Sequence, residues 1–372
     1  MSAPEEGAAA AVTPSRLRLA RERRGLTLEA LSRAVGVSAK TLSHYERAIL
    51  PVPLRLIAVL ESALGLVPGF LQAEDLGVLE EHAASFRARR RMTAAERNAA
   101  LAAGRLGIKF YEWVEERFHL PDPDVPTLER FSPEQAAEIV RHRWGLGYRP
   151  VPNMVHLLES HGIRVLSLPG DTDNVDAFST YWRSTPYVFL SLSKSPERGR
   201  FDAAHELGHL VLHCADGSLT DANRERAADQ FAAAFLMPRE DVLGQQLRYA
   251  TAVDVVRSKR RWGVAAMALA RRLHELGQMS DWEYRICCSE LSKQGFRRRE
   301  IDGIEREVSL VFRKVLDWAR KTGLPLRKIA AELVMVEQDL HDYTFGLAVS
   351  MVDGAGDHAP RHSARSRLTL VR

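Results

Sequence analysis

The string FDAAHELGHLVLH at residues 201–213 limits what this chain can fold into more than any other segment. His205 and His209 are four apart, so on a helix they share one face, one turn apart, and both imidazoles can reach one ion. Glu206, beside the first histidine, is placed to take a proton from water. That is the arrangement that makes HExxH a hydrolytic pattern when a metal is held.

A third ligand has to come from elsewhere, and RERAADQFAAAFLMP at residues 224–238 offers one. Glu225 and Asp229 are again four apart on a predicted helix that Pro238 ends or closely follows. Glu225 can complete a His, His, Glu set whose fourth position stays open, as a catalytic zinc requires, and manganese suits the same donors. Asp229 can accept a hydrogen bond from the outer nitrogen of a ligand histidine and so fix its tautomer. His213 lies eight residues beyond His205, about 12 Å along a helix axis, with no glycine between to turn the chain back. It reads as a structural or supporting histidine.

These two segments resemble the ImmA/IrrE family of metallopeptidases, through Ala204 to His209 and through Glu225 followed by Phe231, Ala232, Leu236, Met237 and Pro238. The likeness covers roughly residues 130–275. It implies a gluzincin-like zinc site with ligands His205, His209 and Glu225, with Glu206 as general base. It also implies a protein substrate, a transcriptional repressor. Strand-like runs at Ile163 to Leu168, Val175 to Arg183 and Tyr187 to Ser193 precede the HExxH helix, the later two separated by Ser184, Thr185 and Pro186. An extended substrate could pair with such an edge. Tyr181, Tyr187, Arg198 and Arg200 are the groups available to stabilise an oxyanion.

The N-terminal region carries a different chemistry. Between residues 15 and 55 stand nine Lys or Arg (Arg16, Arg18, Arg21, Arg23, Arg24, Arg33, Lys40, Arg47 and Arg55) against three acids (Glu22, Glu29 and Glu46). Nine less three leaves +6, which exceeds the +4 of the whole chain. Within LTLEALSRAVGVSAKTLSHYERA, residues 26–48, Thr27 caps one helix, Gly36 permits a tight turn and Ser38 caps a second helix. The segment resembles the helix-turn-helix of phage repressor-like (XRE) regulators. That likeness implies a second helix in the major groove of an operator, with Ser38, Ala39, Lys40, Thr41, Ser43 and His44 nearest base edges. Arg16, Arg23 and Arg47 would contact phosphate. Ala48 stands where the family has glycine, which should alter the exit turn. A symmetric dimer would suit a palindromic operator.

Composition removes other classes. Cys214, Cys287 and Cys288 are too few and too badly spaced for a disulfide framework or a cysteine zinc knot, which points to a reducing compartment. The first residues carry acids rather than the positive charge of a signal peptide, and no long apolar run implies a membrane span. The expectation is a cytoplasmic protein without membrane partners.

Punctuation by Gly and Pro divides the chain. We expect residues 1–13 to be disordered, 14–73 to form the helix-turn-helix domain, and 74–126 to form a helical basic linker ending in PDPDVP. Residues 127–276 should form the metallopeptidase-like domain, 277–348 a helical C-terminal subdomain and 349–372 a mobile basic tail. Within the linker, the run from Arg87 to Lys109 sets Arg87, Arg89, Arg90, Arg91, Arg97, Arg105 and Lys109 against Glu96 alone, a pattern that usually marks a solvated face. The fold class is α+β, mostly α, with a small sheet. The reading is a DNA-binding transcriptional regulator with a zinc-dependent endopeptidase domain that cleaves a repressor. The alternatives are a transcription factor whose peptidase-like domain only senses metal or ligand, and a protein that cleaves its own linker.

Overall fold

The computed structural model describes residues 11–79, 84–88, 92–170, 175–212, 220–348 and 369–370. It is α+β and mostly helical, with a small sheet, and it divides into two compact units. One comprises Met1–Ala84, Arg90–His119 and Phe312–Arg372; the other comprises Ser85–Arg89 and Leu120–Val311.

The first unit begins with four short helices, α1 (Pro14–Arg23), α2 (Leu28–Val35), α3 (Ala39–Glu46) and α4 (Leu54–Leu64). The local chemistry explains each boundary. Thr27 accepts a hydrogen bond from the Ala30 amide at 3.1 Å, capping α2, and Ser38 accepts from the Thr41 amide at 3.1 Å, capping α3. Gly36 closes α2 at φ 70°, the left-handed conformation that glycine adopts without a Cβ penalty. Leu17, Leu31, Leu42 and Leu60 are fully buried between the helices. Arg21 ties α1 to α3 with a two-pronged bond to Glu46, at 2.6 and 2.8 Å.

The same unit contains the 22-residue helix α5 (Ala94–Glu115), started by a reciprocal Thr93–Glu96 capping box. Small buried residues on α5, among them Ala100, Ala103 and Gly104, let α1 pack closely against it. Its aromatic end meets the C-terminal helices α14 (Leu310–Lys321), α15 (Leu326–Leu333) and α16 (Glu337–Tyr343). Phe110 stacks on Phe312 at 5.1 Å, Phe118 meets Trp318 edge-on at 5.2 Å, and the Tyr343 hydroxyl donates to the Ala103 carbonyl at 2.7 Å. Residues expected to be a linker therefore supply a core helix, because the apolar stripe of α5 is covered by helices more than 200 positions away in sequence. Thr13 is likewise ordered, its hydroxyl donating to the Ala73 carbonyl at 2.6 Å. Residues 1–10 and nearly all of the expected tail lie outside the described residues; 369–370 form a strand, β6 (Thr369–Leu370), antiparallel to β2 (Phe118–His119).

The second unit is built on a sheet of order β1-β4-β5-β3, from β1 (Ala84–Ala88), β3 (Arg164–Ser167), β4 (Val175–Trp182) and β5 (Thr185–Leu190). β4 and β5 are antiparallel, and β3 runs parallel to β5. The turn falls at Arg183 and Ser184, both with positive φ, the two-residue hairpin geometry that matches strand twist. Thr185 and Pro186, expected in the turn, belong to β5. Proline is tolerated there because the β3 register begins only at Tyr187, so no β3 carbonyl is waiting for an amide at 186.

Helix α8 (Pro196–Leu212) lies on β4 and β5, α9 (Asp221–Leu236) packs against α8, and α6 (Pro133–Arg143) packs against both helices. The α8–α9 approach depends on Gly208, where a Cβ would come 3.1 Å from the Phe231 ring and 3.2 Å from the Ala228 Cα. α7 (Met154–Ser160) leads into β3 through Gly162, at φ 76°, where a Cβ would sit 2.2 Å from the Asp122 carbonyl oxygen. The proline-rich segment is thereby fastened to this unit, with the Asp124 amide donating to the His161 carbonyl at 2.9 Å. α10 (Arg239–Gly244), α11 (Ala252–Ser258), α12 (Ala266–Glu275) and α13 (Asp281–Lys293) complete it.

Candidate metal centre and nucleic-acid interface

α8 and α9 bring the three residues of the expected ligand set together. His205, His209 and Glu225 each offer a ligand atom within 4.8 Å of the others, and among the described residues this is the group of His, Cys, Asp and Glu that does so. The two Nε2 atoms face each other at 3.0 Å; Glu225 Oε1 lies 3.0 Å from His209 Nε2, and Oε2 lies 3.4 Å from His205 Nε2. Ligands at zinc–nitrogen and zinc–oxygen distances of about 2.0–2.1 Å in a tetrahedron are about 3.3 Å apart, so the three edges fit one ion.

The protonation chemistry agrees. His205 Nδ1 lies 3.0 Å from Asp229 Oδ1, so its proton goes to that carboxylate and its Nε2 keeps the lone pair. A nitrogen lone pair, a second imidazole nitrogen and a carboxylate converging on one point are a donor set that would hold a cation. With no metal bound, burial alone would raise the Glu225 carboxyl, but hydrogen bonds and charge from His205 and His209, when protonated, outweigh it and hold the group well below the usual carboxylate range. His205 and His209 are almost wholly buried, whereas the Glu225 side chain is 41% exposed, so the point of convergence opens to solvent on the Glu225 side.

Glu206 is fully buried under β4, and the Ser179 hydroxyl donates to its Oε2 at 2.7 Å. Ser179 went unrecognised in the sequence. The available signal was weak, a polar residue at a strand position whose neighbours two away, Ala177 and Tyr181, share its face. The Tyr181 hydroxyl reaches the Leu210 carbonyl at 3.3 Å, which puts it beside α8. Other oxyanion candidates are committed elsewhere: Arg200 is clamped by Glu307 and by the Val151 and Trp262 carbonyls, Arg198 donates to the Arg297 carbonyl, and Tyr187 is buried against Phe189. His213 and Cys214 lie outside the described residues.

On α3, Leu42 and Tyr45 point inward, while Ser38, Lys40 and Arg47 are exposed and Ala39, Thr41, Ser43 and His44 are half-buried. Two expected phosphate contacts are not available. Arg16 is buried, lying over the Phe70 ring and donating to the Glu74 carbonyl at 2.6 Å. Arg23 is buried and paired with Asp339 at 3.1 Å. Arg33, Lys40, Arg47 and Arg55 are the exposed cations of the α2–α4 region. Ala48 adopts φ 58°, so the exit turn keeps a glycine-like backbone despite its methyl group. Elsewhere, three residues of the basic runs are structural: Lys259 is buried 3.0 Å from Glu300, Arg261 pairs with Asp241, and Arg105 donates to the Leu76 carbonyl.

Among the described residues no helix is long and apolar enough to cross a membrane. A comparison with curated proteins gave no match. Two family models do match: residues 158–274 match the Peptidase M78 model, described as an IrrE N-terminal-like domain, and residues 15–73 match a helix-turn-helix domain. The first span contains His205, Glu206, His209, Glu225 and Asp229, and the second contains α2 to α4 and all of α1 but its first residue. The chain thus joins a DNA-binding helix-turn-helix domain to an ImmA/IrrE-like peptidase domain.

Proposed function

We propose that this protein is a cytoplasmic transcriptional regulator whose second domain is a zinc-dependent endopeptidase acting on a repressor protein. The observation that carries this reading is the convergence of two imidazole nitrogens and one carboxylate, with a buried glutamate adjoining them. When bound, zinc supplies a Lewis acid that makes water nucleophilic at neutral pH and polarises a peptide carbonyl; manganese suits the same donors. His205, His209 and Glu225 would hold it, and Asp229 orients His205. Ser179 holds Glu206 so that its carboxylate can take a proton from the attacking water and return it to the leaving amide nitrogen. The Tyr181 hydroxyl, which reaches the Leu210 carbonyl on α8, is the candidate for steadying the carbonyl oxygen, since Arg198 and Arg200 are committed to distant partners.

For the first domain, we assign Ser38, Ala39, Lys40, Thr41, Ser43 and His44 to base edges of a double-stranded operator and Arg47 to phosphate, with a homodimer spanning two half-sites. The deciding experiment incubates zinc-loaded protein, and its Glu206→Gln form, with repressors encoded beside it. Cleavage by the first and none by the second, at equal zinc content, is the expected outcome. If the zinc-loaded protein leaves every such repressor intact while Glu206→Gln regulates normally in cells, the peptidase reading is lost and a metal- or ligand-sensing domain replaces it. Lys40→Ala and Thr41→Ala should weaken operator binding without altering zinc content, and unchanged footprints would overturn the assignment of α3.

A further inference from the structure

A second site lies in the peptidase-like unit, lined by none of the three candidate ligands. A cavity of about 520 Å³ opens between α8, α9, α12 and α13, within the range of small-molecule sites. Phe201, Ala233, Ala265, Met267 and Ala268 give it an apolar wall. Its charged lining is internally balanced: Lys194 sits between Asp176 and Asp202 at 2.9 and 2.7 Å, Arg272 is paired with Glu134, and Arg271 with Glu275 at 2.9 Å.

The adjoining groove is different. It encloses about 600 Å³, shares Met267 and Tyr284 with the first cavity, and is lined by Arg285, Lys293 and Arg297 with no carboxylate. Ser289 and Ser292 line it as well. The sequence explains this clustering, because positions 285, 289, 292 and 293 fall on one stripe of α13 at intervals of three and four. Arg285 donates to the Asp281 carbonyl at 3.1 Å and feels the Asp281 charge. No carboxylate among the groove's own lining offsets Arg285, Lys293 and Arg297, so an anion there is attracted by them and can accept hydrogen bonds from the hydroxyls.

We propose that the two cavities together bind a small organic anion, its phosphate or carboxylate among Arg285, Lys293 and Arg297 and its apolar body in the cavity beside Met267. A duplex backbone is the less suitable occupant, because it has nothing to fill the apolar cavity. The site also borders the metal centre from outside. Asp229, whose Oδ1 meets His205, lines the first cavity, and its Oδ2 lies 3.9 Å from Arg271 of α12. An occupant therefore sits against the carboxylate that orients a candidate ligand, so its binding and metal binding are linked, each altering the other by the same factor. The site is an effector site, and it stands whether or not the metal centre cleaves peptides.

Calorimetry on the full-length, metal-free protein tests this without any proteolysis, using phenyl phosphate, phenylacetate and inorganic phosphate as probes. Saturable binding of one aromatic anion at one site per chain is expected, about tenfold or more tighter than inorganic phosphate because the ring is buried. The tighter of the two aromatic probes distinguishes a phosphate from a carboxylate site. The double change Arg285→Ala, Lys293→Ala should weaken that probe about tenfold or more. Ala268→Phe, which fills the cavity, should weaken it while leaving inorganic phosphate unaffected, and unchanged melting would show that both variants fold. No saturable binding at millimolar probe overturns the proposal. So does equal affinity for inorganic phosphate and the aromatic anions, or a duplex DNA that binds through Arg285 and Lys293 when the probes do not.

Discussion

The Ser179 hydroxyl on β4 donates a 2.7 Å hydrogen bond to the Glu206 carboxylate on α8, inside a core where both residues are almost fully buried. The two are 27 positions apart, and the bond holds the proposed general base in one rotamer against the sheet. Ser179→Ala should lower kcat of repressor cleavage by about 10- to 100-fold, part of what a positioned base contributes, while zinc content stays the same. Steady-state kinetics with metal analysis would check this; a full rate in the variant would mean that Glu206 needs no such support.

Asp229 acts on the candidate ligands through His205. Asp229→Asn keeps the shape but offers a poorer acceptor for the Nδ1 proton, and zinc affinity should fall by about 10- to 100-fold. Competition with a chromogenic chelator measures this, and the folded state should melt at a similar temperature in the absence of metal.

Gly208 sets the distance between α8 and α9, and through it the reach of Glu225 to the two histidines. Gly208→Val should cost about 1–3 kcal/mol of stability by forcing the helices apart, and should also weaken zinc binding although no ligand is altered. Denaturant unfolding and the chelator assay give the two readouts; wild-type zinc affinity would show that α9 does not need this contact.

Ala48 takes a left-handed backbone at an exposed turn. Ala48→Gly removes the Cβ clash, and after the entropy that glycine loses on folding it should stabilise the helix-turn-helix domain by about 0.5–1 kcal/mol. Thermal melting of the domain would detect it, and a lower melting temperature would contradict the strain.

The pH dependence of stability should have a component from Asp241. Burial raises its carboxyl, but hydrogen bonds from Arg261 and Trp262 and the nearby positive charge prevail, leaving it below the ordinary value. Folding therefore favours the charged form. That stabilisation is complete above the unfolded value of about 3.9 and is lost as pH falls toward the folded one. Asp241→Asn should give a shallower loss of melting temperature between about pH 5 and pH 3, with lower stability at pH 7.

What was legible in the sequence was local. The spacing of His205 and His209, the caps Thr27 and Ser38 and the left-handed Gly36 depend on neighbours within a turn or two, and residue type and interval specify them. Glu225 and Asp229 also sit at helical spacing, but the expectation that they meet the histidines came from the family resemblance, since spacing within one helix does not say which helix it faces. The tertiary structure decided what depends on distant partners. Ser179 acquires its place only when β4 lies beneath α8. Arg16 and Arg23, which count as free charge in a list, are buried because the Glu74 carbonyl and Asp339 fold back onto α1. α5 reads as part of a linker until Phe312, Trp318 and Tyr343 cover its apolar face. Burial removes water as the competing partner, and which group replaces it is settled by chain segments far apart in sequence, so no local pattern records it.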